Sequence, residues 1–353
     1  MLNARWVASF RIGWQSGQHL MLQRAILGVL FLLAIAVGAV PSARPQISCG
    51  DTLGPGGKFA ATADIGPCAD DPALTIVGSV KVDFAGHELA CDSATKVGIE
   101  ILGKGAKVEN GAITGCDDAI TVGGEGKHKL TRMVVRGIEG HGFFLTSDGN
   151  KLKECAVADA QNDAIRLVDA SKNAVTDSHV ARIDGTGIQV DASHGNKFKR
   201  VSAAAVDRGF VVMGDRNKFD DCQVMAASVL GVDLLGSRNR FKEFSVVDTA
   251  TGFVFASGSA NTLTRCRIVA AIVHGIIVKS GVAGTAINKC HVIRSLLDGI
   301  VLEDGATGSV VKKNVVLHSR GTDAVDGNVD CGSNTWASNT IGDSQPPAGG
   351  CVE

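Results

Sequence analysis

One short pattern recurs every 21–25 residues from Gly98 to Gly299: a small residue, a large apolar residue, any residue, then a large apolar residue. It reads Gly98-Ile99-Glu100-Ile101, Ala119-Ile120-Thr121-Val122, Gly142-Phe143-Phe144-Leu145 and Ala164-Ile165-Arg166-Leu167. It persists to Gly299-Ile300-Val301-Leu302, with a degraded copy at Ala324-Val325. Alternation of period two puts both apolar residues on one side of a short strand and the residue between them on the other. A unit this short cannot bury its own apolar side, so successive units must stack. No 3.6-residue periodicity lasts three turns, and Pro is scarce (7 of 353 residues), which excludes a helical solenoid.

A second motif keeps register with the first: Asn150-Lys151-Leu152, Asn173-Ala174-Val175, Asn196-Lys197-Phe198, Asn217-Lys218-Phe219, Asn239-Arg240-Phe241 and Asn261-Thr262-Leu263. Asn suits a tight left-handed turn and bonds nearby backbone groups. Five residues after each Asn stands Cys155, Ser178, Val201, Cys222, Phe244 or Cys266, with Cys290 and Asn314 in the same column later. These are expected to be buried wall residues, with Cys266 and Cys290 packed as stacked thiols rather than joined. The small residue before each strand is Gly or Ala, so close packing at a corner, not positive φ, is its expected role.

These motifs resemble the right-handed parallel β-helix proteins of the pectate-lyase-like superfamily. The ends are similar to bacterial secreted members: Cys49-Gly50-Asp51-Thr52, Asp64-Ile65-Gly66-Pro67-Cys68 and Val82-Asp83-Phe84-Ala85-Gly86-His87 at one end, Cys331-Gly332-Ser333-Asn334-Thr335-Trp336 at the other. The resemblance implies an all-β right-handed parallel β-helix of about eleven coils. It implies little about activity, since the superfamily holds polysaccharide lyases, glycoside hydrolases, epimerases and adhesins.

Ala25–Val40 is uncharged, follows Arg24 and ends in small residues, as a secretory h-region does, with cleavage expected at Val37-Gly38-Ala39. Translation starting at Met21 would give it an ordinary n-region, and an uncleaved anchor is the alternative. The expected organisation is a signal peptide over 1–39, an N-terminal cap and first coil over 40–96, the β-helix over 97–326 and a C-terminal cap over 327–353. Ten cysteines fit a secreted, periplasmic or cell-surface protein. Cys49–Cys68 and Cys331–Cys351 are the expected terminal staples. No CxxC or His-rich spacing suggests a metal site, and no cofactor is expected.

Chemistry on a stacked fold sits in columns. The turn column reads Asp118, His141, Asp163, Thr186, Arg208, Leu230, Thr251, His274, Asp298 and Asp323. The outward strand column reads Glu100, Thr121, Phe144, Arg166, Gln189, Val211, Asp233, Val254, Ile277 and Val301. The candidate catalytic group is Asp117, Asp118, His141, Asp163 and Arg166, with Glu100, Thr121, Gln189 and Arg208 as candidate substrate contacts. Asp118 and Asp163 stand two coils apart, so their carboxyls are roughly 9–10 Å apart, close to the ~6.5–9.5 Å of an inverting glycosidase pair. Asp117-Asp118 and Gly140-His141-Gly142 also resemble the paired Asp and Gly-His-Gly of polygalacturonase-type hydrolases. That resemblance implies one carboxylic acid protonating the leaving oxygen and one carboxylate activating water. The Asn-Thr-Asp and Arg-Ile-Lys motifs of that family have no counterpart here, and Arg166 is only a loose stand-in. Asp, Gly and His are also ordinary turn residues, which gives the same columns a purely structural reading.

Composition narrows the partners. A formal net charge of −1 argues against a nucleic-acid binder and against electrostatic docking to membranes. Tyr is absent, and only Phe144 points outward among the candidate residues, which argues against a deep sugar cleft. The even repeat leaves no long loop to wall one. The expected function is binding or processing of an extracellular polysaccharide along the outer face, by a hydrolase or lyase if an enzyme. The alternative is a noncatalytic structural or protein-interaction rod, self-associating through an apolar strip near Val254, Ile277 and Val301.

Overall fold

A computed structural model describes residues 46–345, except Ala94, together with Val352. The expected signal segment and Cys351 lie outside the described residues.

The chain winds as a parallel β-solenoid of about 13 turns. A turn typically contributes three strand segments, which run together in the middle of the solenoid into single long strands such as Ala174–Asp191 and Lys197–Val212, and the strands pair in parallel with their counterparts one turn away. Three faces result. The first holds the recurrent strand, from Asp51–Leu53 and Leu74–Val77 onward. The second starts at Lys58–Ala60 and the third at Ile65–Cys68. The outward column of the first face is continuous: Glu100 pairs with Thr121, Thr121 with Phe144, Phe144 with Arg166 and Arg166 with Gln189. It runs on through Val211, Asp233, Val254 and Ile277 to Val301.

The turn count exceeds the expected eleven because stacking begins earlier and ends later than the Gly-led copies. Ala73-Leu74-Thr75-Ile76 already carries the small–apolar–any–apolar pattern, and Thr75 pairs with Glu100. At the far end Thr335–Ala337 pairs with Val310–Lys312, and Ser344–Gln345 with Ala324–Val325. Trp336 is buried there, and its indole N–H donates to Asp326 Oδ2 at 2.9 Å.

Inward residues fill the solenoid completely. Phe198, Phe219 and Phe241 stack in consecutive turns with centroids 4.8 and 4.3 Å apart, near the strand spacing. The small residue at the corner allows close approach: a Cβ on Gly231 would stand 2.4 Å from the Gly252 carbonyl oxygen. Its φ is not positive, as the Gly/Ala alternation implies.

The Asn column works differently from expectation. The left-handed residue is the one before each Asn, as at Lys172, Gly195, Arg216 and Arg238. The Asn itself is fully buried, and its Oδ1 accepts the backbone N–H of the residue at the same position one coil earlier: Asn150 from His128, Asn173 from Asn150, Asn196 from Asn173, Asn217 from Asn196. A side-chain acceptor is needed because an apolar side chain would leave those buried N–H groups unpaired; His128, in the same column, supplies one through Nδ1 to the Ala106 N–H.

Disulfides join Cys49–Cys68, Cys91–Cys116 and Cys266–Cys290. The last corrects the stacked-thiol expectation: register brings those neighbours to a Cα separation of 4.5 Å, within bridging range. Cys331 is also disulfide-bonded, and its expected partner Cys351 lies outside the described residues. Cys155 and Cys222, whose column neighbours are not Cys, remain free and buried. Among the described residues, no helix is long and apolar enough to cross a membrane.

Candidate functional site

Where the turn entering a first-face strand carries Asp, its carboxylate bonds the next coil. Asp118 Oδ1 accepts the His141 backbone N–H at 2.7 Å, and Asp163 Oδ1 accepts that of Thr186 at 2.9 Å. Asp298 does the same for Thr322 at 2.8 Å. These carboxylates therefore close the turn of the following coil wherever they occur. Gly140 makes room for two of them, since a Cβ there would stand 2.4 Å from Asp118 Oδ1 and 2.6 Å from Asp117 Oδ1.

The second oxygen of Asp163 is the one with chemistry left. It lies 3.9 Å from His141 Nδ1 and 3.8 Å from an Arg166 Nη. The Arg166 Nε donates to Asp191 Oδ2 at 3.1 Å, and the Gln189 carboxamide donates to the other Asp191 oxygen. The His141 ring stacks on Phe144, centroids 5.4 Å apart and planes inclined by 24°. The acids are well covered, at 13% side-chain exposure for Asp163 and 15% for Asp191, whereas Arg166 keeps 36%. The cluster therefore presents Phe144 and Arg166 outward, with His141, covered to 14% exposure, at the level of its carboxylates. His141 Nδ1 is buried and has no hydrogen-bond partner, its nearest acceptor being Asp163.

Among the residues picked from sequence, the structure brings His141, Asp163, Arg166 and Gln189 together, with Phe144. Asp118 spends one oxygen on the His141 backbone, and Asp117 is exposed on the same turn. Glu100 and Thr121 occupy the two rungs before Phe144. Arg208 is exposed further along the column, beside Asp233, whose carboxyl burial pushes up while Arg208 pulls it down. Asp191 was missed. Its signal was present: it follows Gln189 by two residues in the same strand and so shares the outward side.

A second His-over-Asp pair stands further along the turn column, with His274 Nδ1 3.3 Å from Asp298 Oδ2. The pairing is thus a product of the turn geometry; the surrounding Phe144, Arg166, Gln189 and Asp191 distinguish the first copy. The strip expected at Val254, Ile277 and Val301 offers little surface. Val254 is 8% and Ile277 6% exposed, and Val301 is half-buried. The exposed large apolar side chains among the described residues lie elsewhere and are scattered: Met213, Met225, Val229, Leu235, Ile272, Leu296, Leu297 and Val329. Among the described residues, no group of three His, Cys, Asp or Glu is arranged to hold a metal ion.

The family model of the right-handed β-helix region matches residues 97–242 and 207–345, and the chain belongs to that family. Its solenoid is similar to the catalytic domain of a GH87 alpha-1,3-glucanase, at TM-score 0.58 and 11% identity. That match covers 85% of this chain but 63% of the glucanase chain, so this chain spans less than two thirds of it. A mannuronan C-5 epimerase A-module of Azotobacter vinelandii aligns at TM-score 0.50 and 13% identity, over 92% of both chains. A capsular polysaccharide depolymerase tailspike of an Acinetobacter baumannii bacteriophage aligns at TM-score 0.51 and 10% identity, over 82% of this chain and 57% of its own. At these identities the likeness is one of fold. No curated protein matches the sequence.

Proposed function

We propose that this is an exported β-helix protein that binds an extracellular polysaccharide on its first face, at the platform formed by His141, Phe144, Arg166 and Gln189. The observation that carries the reading is the stacking of His141 on Phe144 beside the Arg166–Asp191–Gln189 network. A sugar presents an apolar ring face and a rim of hydroxyls; Phe144, backed by the His141 ring, meets the first, and a fixed guanidinium and carboxamide meet the second. The disulfides support an oxidising compartment. The likeness of the solenoid to an alpha-1,3-glucanase, a mannuronan epimerase and a capsular polysaccharide depolymerase supports the ligand class.

Binding fits the geometry better than cleavage. Asp118 and Asp163 each commit an oxygen to a backbone N–H, and the same bond recurs at Asp298 without the neighbouring cluster. One observation keeps hydrolysis as a second reading: His141 Nδ1, buried and without a hydrogen-bond partner, faces Asp163 in a column where Asp118 stands on the other side. The test is a panel of neutral and acidic glycans offered to the protein, its Phe144→Ala and Arg166→Gln variants, and Asp118→Asn and Asp163→Asn. Glycan retention lost in the first two variants, with no reducing ends released by any protein, is the expected result. Retention unchanged in Phe144→Ala refutes the platform. Chain cleavage abolished by Asp163→Asn replaces binding with hydrolysis.

A further inference from the structure

The Asn-led motif carries a cation that the first-face site does not use. In register terms, Lys58 pairs with Lys81 on the second face, and every rung from there to Lys151 carries Lys at the same outward position. Ala174 interrupts the file; Lys197, Lys218 and Arg240 resume it. At a rung spacing of ~4.8 Å the file is roughly 40 Å long. Apart from the half-buried Lys81, its cations are exposed. Lys81 is paired to Glu109 at 2.7 Å, but Lys107, Lys129, Lys151, Lys197 and Lys218 make no ion pair among the described residues. The other outward position of the same strands is mixed: Asp83, Glu109 and Asp220 share it with Lys153, Lys199 and Lys242, and Lys153 and Lys242 pair with the neighbouring Glu154 and Glu243, so the cationic character rests on the first position alone.

The chain as a whole has 35 Lys and Arg against 36 Asp and Glu, so this face reflects segregation of charge and not an excess. Like charges directly opposite one another on neighbouring strands repel, and the fold sustains that repulsion over nine coils without an internal counter-charge for most of the file. An external polyanion lying along the file would relieve it. The occupant must be extended and carry charge at short, regular intervals. Nucleic acid is poorly matched, because no aromatic side chain points outward on this face to stack a base: between Lys58 and Lys242 the outward residues are Lys, Arg, Ala, Thr, Asp and Glu. A file of ammonium groups is a row of point charges, suited to a carboxylate on each sugar of a linear chain.

We propose that the second face is a binding site for an extended acidic polysaccharide, separate from the first-face platform and sharing no residue with it. The experiment uses the full chain with fluorescein-labelled polygalacturonate, neutral dextran and single-stranded DNA of matched charge, across a salt titration starting at roughly 50 mM NaCl. Binding to polygalacturonate that weakens steeply with salt, and none to dextran, is expected. The variant Lys129→Gln/Lys151→Gln/Lys197→Gln/Lys218→Gln is expected to bind about tenfold or more weakly, with an unchanged circular dichroism spectrum. Arg136→Gln/Arg267→Gln/Arg294→Gln/Arg320→Gln removes the same charge elsewhere and is expected to change affinity less than about threefold. Absence of binding at the lowest salt overturns the proposal. So does equal weakening by the two variants, which makes the effect one of net charge. Tighter binding to DNA than to polygalacturonate overturns the choice of polymer.

Discussion

Replacing Asp163 separates its two jobs, because they reside on different oxygens. In Asp163→Asn the side-chain carbonyl can still accept the Thr186 N–H, now 2.9 Å from Oδ1, while the negative charge facing Arg166 and His141 disappears. Asp163 is well covered while Arg166 keeps 36% exposure, so the pair at 3.8 Å lies between an exposed one, worth about 0–1 kcal/mol, and a buried one, whose breaking costs about 3–5 kcal/mol. Arg166 also keeps its contact to Asp191. Asp163→Asn is therefore expected to cost about 1–2 kcal/mol. Asp163→Ala removes the acceptor too. Thr186 is 8% exposed, so its N–H loses a partner that water replaces poorly, adding about 1–3 kcal/mol. Urea unfolding followed by circular dichroism gives the two differences, and hydrogen exchange of the peptide spanning Thr186 locates them. Faster exchange at Thr186 in the Ala variant alone is expected. Equal cost and equal exchange in both variants would falsify the view that the turn carboxylate is a backbone cap.

Four further outcomes follow from the same geometry. Asn217→Ala strips the Asn196 N–H and the Ser193 carbonyl of their partners, at 2.8 and 3.0 Å, and is expected to cost about 2–5 kcal/mol in urea unfolding. Phe219→Ala opens a cavity in the middle of the ring stack and is expected to cost about 3–5 kcal/mol, against under 1.5 for a volume-conserving swap. Burial raises the Asp233 carboxyl above its unfolded value, so its share of stability is present below the unfolded pKa and lost as pH rises through the folded one. Asp233→Asn should accordingly raise Tm near pH 7 and leave it unchanged near pH 3, as read by thermal melts. Cys155 and Cys222, pushed up to about 11 and about 12 by burial, should resist iodoacetamide in the native protein and react fully once it is unfolded.

Register was the most legible property of this chain. Period-two alternation led by a corner residue places Glu100, Thr121, Phe144, Arg166 and Gln189 in one column, and the strands pair so. A one-residue slip would have reversed every side chain, and the apolar pattern forbids it. Less legible was how far the stack extends, because the copy at Ala73-Leu74-Thr75-Ile76 sits among turn-rich sequence that reads as a cap. The Cys266–Cys290 bridge was within reach of the same alignment, but adjacency alone does not separate a bridge from two packed thiols. The cluster around Arg166 was only half legible. Column position identifies neighbours, whereas Asp191 reaches Arg166 diagonally, from a strand position displaced along the chain. The lysine file escaped notice for a simpler reason: a charge of −1 is an average, and averaging hides segregation.

The nearest-neighbour stacking of this solenoid also governs how it can change size. Each coil touches only the coil before and the coil after. The Asn bonds, the ring stack and the lysine file all step by one coil. Removing a whole coil would let its neighbours close over the gap with each column intact, whereas removing half of one would break every column at once. The two outer faces are therefore graduated in the same unit, and a longer or shorter relative would gain or lose reach on both together, one rung at a time.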